Sequence, residues 1–253
     1  MKIKPNKLRR HILDMVYRAK SGHIGGSFSI CEIVAYLYSE YPGLIEEDKD
    51  KLILSKGHAV PALYAVFYEL GLIDSLESFR QIDSQLQGHP YHKSLKYLHA
   101  TTGSLGQGLS IAIGHAIAYK MKKEPHRVFC IVGDGEMQEG QIWEAVMFAP
   151  TYKLDNLICF LDRNGYQNDG AVDDILPLGD LREKLTAFGW YVREIDGHDE
   201  DQIAWVVRQK ADRPLFVIAN TVKGNGVSFM QTKEWHTKVP SEDEYPRAKK
   251  ELA

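Results

Sequence analysis

An aspartate between two glycines follows an apolar run near the middle of the chain. Asp134 is flanked by Gly133 and Gly135 and precedes Glu136, and the apolar run before it, RVFCIV, occupies residues 127–132. In open α/β sheets, ligands bind outside the carboxyl ends of the strands. Glycines let the backbone approach an anion closely, and the N-terminus of a following helix favours phosphate. Because aspartate and a diphosphate are both negative, we expect a divalent ion such as Mg²⁺ between them.

A second strand end supplies the oxygen atoms that such an ion needs. The run LDRNGY at 161–166 again reads as a strand followed by a sharp turn, and Asn164 lies thirty positions after Asp134. This spacing corresponds to one strand–helix–strand unit. The amide oxygen of Asn164 and a backbone carbonyl of the turn would complete the set. A lone Gly-Asp-Gly is most often a simple turn, whereas the asparagine at the next strand end favours a metal site.

Apolar runs separated by helical patterns must position these strand ends. Such runs are typical of buried parallel strands, so the predicted fold class is α/β, a mostly parallel sheet flanked by helices. Strands are predicted at 52–54, 127–132, 156–161, 190–195 and 214–220. Helices are predicted at 6–20, 29–41, about 59–70, 109–120, 139–149, 180–188 and 200–210. The whole chain, 1–253, is predicted to be one domain, with a polar tail at about 231–253 that shows no periodicity.

The composition is that of an ordinary globular protein in water. Of 253 residues, 44% are hydrophobic and 26% are charged, and the net charge is −3. The sequence carries no basic excess, so we expect no nucleic-acid partner and no membrane surface. No segment has the pattern of a membrane span or of a signal peptide. The three cysteines lie far apart inside apolar runs, and we expect them to be buried and reduced in the cytoplasm.

The stretch from Gly133 to Gly170 resembles the thiamine diphosphate motif, in the form that transketolases carry. Further blocks follow the order of that family between about residues 20 and 240: SGHIGGSFSICEI, ILSKGHA, GHP, TTGSLGQGLSIAIGHAIA and KGNGVSFM…EWHTKVP. Ile24 and Ser104 depart from the commoner pattern, because proline is usual at these positions. The resemblance implies the diphosphate-binding domain fold of transketolase. It also implies two cofactors, thiamine diphosphate and Mg²⁺ (or Ca²⁺ or Mn²⁺).

The resemblance further implies roles for individual residues. Asp134 and Asn164 would ligate the metal through their side chains, and Tyr166 would do so through its main-chain carbonyl. The implied cofactor-binding set is His58, Gly103, Ser104, Leu105, Gly133, Asp134, Gly135, Glu136, Asn164, Tyr166 and His236. Within this set the two histidines would hold the diphosphate, and the segment 103–105 would meet the rings of the cofactor.

Four side chains are implied to take part in catalysis: His23, His89, His236 and Glu139. Breaking a C–C bond beside a carbonyl and a hydroxyl requires protons to leave and return near neutral pH, where histidine titrates. Glu139 would lie at a subunit interface, near a cofactor-activating glutamate of the partner, although an acid here would also complement the helix dipole. The remaining histidines are interpreted as loop or packing residues: His11, His92, His99, His115, His126 and His198.

A whole transketolase is longer than this chain, because a second domain supplies the activating glutamate and a third domain follows. The sequence therefore resembles the N-terminal subunit of a split transketolase, active only with a separate C-terminal subunit in an expected α₂β₂ assembly. Such an enzyme transfers a two-carbon ketol unit from a ketose phosphate to an aldose phosphate, as in the pentose phosphate pathway. The alternatives are a pathway-specific transketolase-like enzyme, a subunit of a thiamine-dependent 2-oxo acid decarboxylating enzyme and, outside catalysis, a cofactor-binding regulatory paralogue.

Overall fold

A parallel sheet forms the centre of the protein. Within residues 2–253, which the computed structural model describes, five strands pair in the order β1-β2-β3-β5-β4. The strands are β1 (Lys51–Leu54), β2 (Val128–Gly133), β3 (Leu157–Arg163), β4 (Tyr191–Asp196) and β5 (Leu215–Asn220). All neighbouring pairs are parallel, and Gly133 of β2 is paired in register with Asp162 of β3. This register brings the carboxyl ends of β2 and β3 side by side, as the sequence predicts.

Ten α-helices surround the sheet in the described part of the chain. They are α1 (Pro5–Ala19), α2 (Ile24–Phe28), α3 (Cys31–Glu40), α4 (Pro61–Glu69), α5 (Gln107–Lys122), α6 (Gly140–Thr151), α7 (Val172–Ile175), α8 (Leu181–Ala187), α9 (Glu200–Val207) and α10 (Glu244–Glu251). No helix among residues 2–253 combines the length and the apolar character that crossing a membrane requires.

Successive side chains of each central strand enter two separate hydrophobic cores. Phe129 and Ile131 of β2 pack on the side that carries α1, α3, α4 and α9. Cys130 and Val132 point the other way, into a core formed with α5, α6 and α8. Because both faces of the sheet are covered, β2 and β3 are continuously apolar rather than alternating. The three cysteines are buried and unpaired, which confirms the expectation from their apolar surroundings.

The predicted strands and long helices are all present, with ends that differ by a few residues. The prediction leaves out α2, a five-residue helix that begins immediately after His23. This helix is too short to carry a periodic pattern, and it contains two glycines, which are poor helix formers. The backbone carbonyls of α2 nevertheless matter, because the carbonyl of Gly26 accepts a hydrogen bond from a buried lysine described below.

The polar tail, which shows no periodicity in the sequence, contains a helix. Residues 244–251 form α10, which packs against α1. Tyr245 stacks on Tyr17 at 4.1 Å between ring centroids, and its hydroxyl donates to Asp14 at 2.6 Å. Leu252 is fully buried. The apolar contacts of α10 are too few to produce a visible helical pattern, so the helix depends on the surface of α1, which a sequence pattern does not contain.

Candidate active site

A pocket of about 390 Å³ opens at the carboxyl edge of the sheet. Its walls include every residue of the predicted catalytic and cofactor-binding sets except Ser104, which is exposed. The walls also include six residues that the sequence analysis assigns no role: Lys56, Gln138, Gln167, Asn168, Asp169 and Lys223. The six histidines interpreted as packing or loop residues do not line it. The structure therefore gathers segments that are far apart in the chain into one concave site.

Asp134 lines this pocket directly after the end of β2 and contacts the turn that follows β3. Its carboxylate accepts hydrogen bonds from the backbone N–H groups of Gly135, at 2.9 Å, and Gly165, at 2.5 Å. The side chain is only 3% exposed. Burial, reinforced by the nearby Asp162, raises the pKa of Asp134 to about 6. A cation placed against this carboxylate would relieve the cost of burying it.

Asn164 is the partner of Asp134 on the next strand end. Its amide nitrogen donates to Asp162 at 2.8 Å, and its oxygen accepts from the N–H of Tyr166 at 3.2 Å. The turn closes because Gly165 adopts a left-handed φ of +82° and Tyr166 forms a bridge to Ala171. Asp134, Asn164 and Tyr166, the three predicted metal ligands, therefore lie on one wall of the pocket.

The donor set on this wall fits a shared magnesium ion rather than a fully protein-bound metal. Among residues 2–253 there is no cluster of three or more His, Cys, Asp and Glu side chains that could hold a metal. One carboxylate, one amide oxygen and a backbone carbonyl are hard oxygen ligands of the kind Mg²⁺ prefers. Mg²⁺ usually completes its shell with water and phosphate oxygens. The buried, unpaired carboxylate of Asp134 is the observation that makes the residues present fit such an ion.

Four histidines from four separate segments form a cluster in the same pocket. The ring of His23 lies 5.3 Å from that of His58, 6.0 Å from that of His89 and 5.5 Å from that of His236, measured between centroids. Burial lowers the pKa of His23 to about 4 and that of His236 to about 3, and nearby cationic groups add to the effect. These imidazoles are therefore neutral at pH 7, and the Nδ1 of His23 is buried without a hydrogen-bond partner.

Two buried lysines line the pocket, and the sequence analysis misses both. Lys56 and Lys223 are 1% and 2% exposed. Lys56 is ion-paired with Asp162, whereas no carboxylate in the described chain lies within ion-pair distance of Lys223. The Nζ of Lys223 donates to the Nδ1 of His236 at 3.0 Å, and burial lowers the pKa of Lys223 to about 8. Each lysine lies in a sequence block that resembles the transketolase family and directly precedes a glycine. This Lys-Gly pair is the signal by which the two lysines could have been found.

Glu136 and Glu139 have different environments. The carboxylate of Glu136 is buried and accepts from Ser55 at 2.5 Å and from the N–H groups of Gly106 and Gly133 at 2.9 and 3.0 Å. It therefore braces the glycine-rich turn against the end of β2. Glu139 is exposed at the pocket rim, at the start of α6, and makes no side-chain capping hydrogen bond. Its predicted place at a subunit interface stays a prediction.

Acidification should destabilise the cofactor-free protein through the buried histidines. The unfolded chain binds these protons near pH 6.5, whereas folded His23 and His236 bind them only near pH 4 and pH 3. Between these values the unfolded state carries more protons, so stability falls as the pH falls. After allowance for solvent screening, each histidine should remove roughly 1 kcal/mol at pH 5.5. Thermal unfolding from pH 7.5 to 5 should show a shallower loss in His23→Asn or His236→Asn than in the wild type; parallel curves would contradict the prediction.

Comparisons with known proteins agree with this geometry. The family model described as "Transketolase, thiamine diphosphate binding domain" matches residues 2–253. The chain is 42% identical, over 90% of its length, to a 6-deoxy-6-sulfo-D-fructose transketolase subunit of Clostridium sp. strain MSTE9, of which it covers 86%. It is 36% identical, over its whole length, to an apulose-4-phosphate transketolase subunit of Phocaeicola vulgatus, of which it covers 94%.

Undivided transketolases match over less of their own length. The chain is 38% identical to human transketolase over 92% of its residues but covers 39% of that protein. Its fold superimposes on the crystal structure of Campylobacter jejuni transketolase with a TM-score of 0.89 at 32% identity. This match covers 98% of the chain and 42% of the Campylobacter protein. The chain thus corresponds to about two fifths of an undivided transketolase.

Proposed function

The chain belongs to the transketolase family, through its thiamine diphosphate-binding domain, and from this premise we propose that it is the N-terminal subunit of a split transketolase. With a separate partner subunit it would transfer a two-carbon ketol unit from a ketose phosphate to an aldose phosphate. The observation that carries the proposal is the pocket itself, where a buried, unpaired carboxylate and a lysine without an acidic partner face a cluster of neutral histidines.

The charges around the pocket match a metal-bound diphosphate. Asp134 and Asn164 would hold Mg²⁺ by their side chains and Tyr166 by its carbonyl, while Lys223 would face the diphosphate as a cation without an acidic partner. The N–H of Gly135 would add a hydrogen bond. When bound, thiamine diphosphate supplies the carbon nucleophile that adds to the ketose carbonyl and takes up the electron pair of the broken C–C bond.

The histidine cluster is suited to the proton transfers that accompany this chemistry. Neutral imidazoles accept protons from hydroxyl groups and return them to developing oxyanions. His23 is the best placed, because its ring lines the pocket and lies 5.3–6.0 Å, between centroids, from the rings of the other three histidines. His89 and His236 lie next to the His23 ring and provide two further proton acceptors in the pocket.

A partner subunit is supported by the names of the relatives. Those that the chain covers nearly completely are called subunits, and in transketolases of undivided length the chain accounts for 39–42%. On the chain itself, Glu139 is exposed at the pocket rim and lacks a partner there. We propose that the partner supplies the cofactor-activating glutamate next to Glu139, in an α₂β₂ assembly, and that the assembly works in the cytoplasm, where three free cysteines stay reduced.

The sugar specificity of the enzyme is a separate question from its reaction type. Two relatives are named for particular sugars, a sulfofructose and apulose 4-phosphate, rather than for the general pentose phosphate reaction. This observation favours a pathway-specific transketolase as the second candidate. In both candidates the substrate would be a sugar with an anionic group at one end, and the ketol-transferring site would be the same.

The test is an assay of the assembled enzyme. The chain is co-expressed with the reading frame next to its own gene, and the purified complex receives thiamine diphosphate, Mg²⁺, xylulose 5-phosphate and ribose 5-phosphate. Formation of sedoheptulose 7-phosphate would support the general reaction. A complex that binds the cofactor but forms no such product would overturn the pentose phosphate assignment, and sulfofructose would then be tried as the donor to test the pathway-specific candidate.

A further inference from the structure

Asp162, an aspartate that does not line the pocket, is fully buried behind Asn164. We propose that Asp162 is a positioning residue that fixes the amide of Asn164 with its oxygen, rather than its nitrogen, toward the metal site. The inference rests on the proposed function, because it concerns how the same site holds its metal. It assigns different roles to two aspartates, Asp134 and Asp162, that lie at the ends of neighbouring strands.

The orientation of the Asn164 amide follows from what Asp162 can bond. An ionised carboxylate only accepts hydrogen bonds, so the group that Asn164 presents to it must be the NH₂. The contact is 2.8 Å between the amide nitrogen and the carboxylate. The amide oxygen must then point away from Asp162, and it retains a lone pair beyond its contact with the N–H of Tyr166. A flipped amide would place an oxygen against the carboxylate and an NH₂ against a cation.

The carboxylate of Asp162 is held in place by three further donors from separate parts of the fold. Ser29, at the start of the link to α3, donates to it at 2.7 Å, and Thr221, just after β5, donates to its other oxygen. Lys56, at the end of β1, forms a buried ion pair with it and also donates to the carbonyl of Gly26 at 2.9 Å. Both carboxylate oxygens accept hydrogen bonds, three on Oδ2 and one on Oδ1, and Asp162 does not line the pocket, so it is not placed to ligate the metal itself.

Asp134 and Asp162 therefore have different roles at this edge of the sheet. The charge of Asp162 is neutralised within the protein by Lys56, whereas Asp134 accepts only from backbone N–H groups in the described structure. Asp162 is the closed carboxylate, which orients a ligand, and Asp134 is the open one, which meets the cation. Residues that orient metal ligands commonly change metal affinity by 10–100-fold when they are substituted.

The swap of the two residues gives the sharpest test. In Asp162→Asn the side chain presents an NH₂ or an oxygen of unfixed orientation, so Asn164 loses the acceptor that orients it. The double variant Asp162→Asn with Asn164→Asp places a carboxylate at 164, which presents an oxygen in either orientation, and keeps the total charge. The matched control is Thr221→Val, which removes one donor to Asp162 but leaves the contact with Asn164 intact.

The experiment measures binding of thiamine diphosphate by calorimetry, at a series of Mg²⁺ concentrations, to the full chain assembled with its partner subunit. Asp162→Asn should need at least about tenfold more Mg²⁺ for half-maximal binding, with the weak metal-free binding unchanged. The swap should recover most of the loss, and Thr221→Val should stay within about threefold of the wild type. Thermal unfolding without cofactor checks that each variant is folded.

The outcomes separate this inference from the proposed function. If Asp162→Asn retains the Mg²⁺ dependence of the wild type, or if the swap is no better than the single variant, Asp162 does not position Asn164. If metal-free and metal-dependent binding fall together, the role of Asp162 is structural only, and the inference is again wrong. Failure of the wild-type complex to bind thiamine diphosphate would instead overturn the proposed function, and this inference with it.

Discussion

Asp134→Ala should abolish metal-dependent binding of thiamine diphosphate, lowering the affinity by about 100-fold or more. The carboxylate is the one anionic oxygen donor among the proposed ligands, and losing one partner of a buried charge pair typically costs about 3–5 kcal/mol. The loss should appear in calorimetric titrations with Mg²⁺ present and be small with the metal chelated. This dependence on metal separates the loss of a ligand from general damage to the pocket.

A surface aspartate provides the control for this variant. Asp155 is half exposed and ion-paired with Lys120, and it lies just before β3, at the opposite edge of the sheet from the pocket. Asp155→Ala removes the same chemical group, and its cofactor affinity should match that of the wild type. Unchanged affinity in Asp134→Ala, with both proteins folded by thermal unfolding, would remove the argument for a metal at this strand end.

The purified chain alone should show no ketol transfer, and the partner subunit should restore it. The pocket brings together a proposed diphosphate site and a cluster of proton acceptors, but the glutamate that activates the cofactor is expected on the partner. Loss of general acid–base assistance of this kind commonly costs about 10²–10⁴-fold in rate. Turnover is therefore measured for the chain alone, for the partner alone and for the mixture, with the amount of each component varied against a fixed amount of the other.

Two controls give this second prediction a clear outcome. Complex that contains Asp134→Ala should assemble, as judged by gel filtration, but remain inactive, which shows that activity comes from this pocket. Glu139→Gln should weaken activity more than it weakens cofactor binding if Glu139 meets the partner glutamate. Turnover by the chain alone at a rate similar to that of the mixture would show that the active site is complete without a second polypeptide.

The fold and much of the candidate site can be predicted from local sequence patterns. The central strands are continuous apolar runs because the sheet is buried on both faces, and Asp134 and Asn164 are recognisable as strand-end residues one unit apart. Helices that are very short, or that have few apolar residues, cannot be predicted in this way. The helix α2 has only five residues, and α10 has a few apolar contacts that become meaningful only against α1.

What the sequence by itself determined is the position of Asp134 at a strand end and the oxygen chemistry that follows from it. Only the tertiary structure decided that Asp134 is the open carboxylate and Asp162 the closed one, because Lys56, which neutralises Asp162, lies 106 residues away from it in the chain. The same is true of the neutral histidines, whose pKa values are lowered by burial that no local pattern records. Strand ends follow from local periodicity, whereas charge pairing and desolvation depend on which distant segments meet in space.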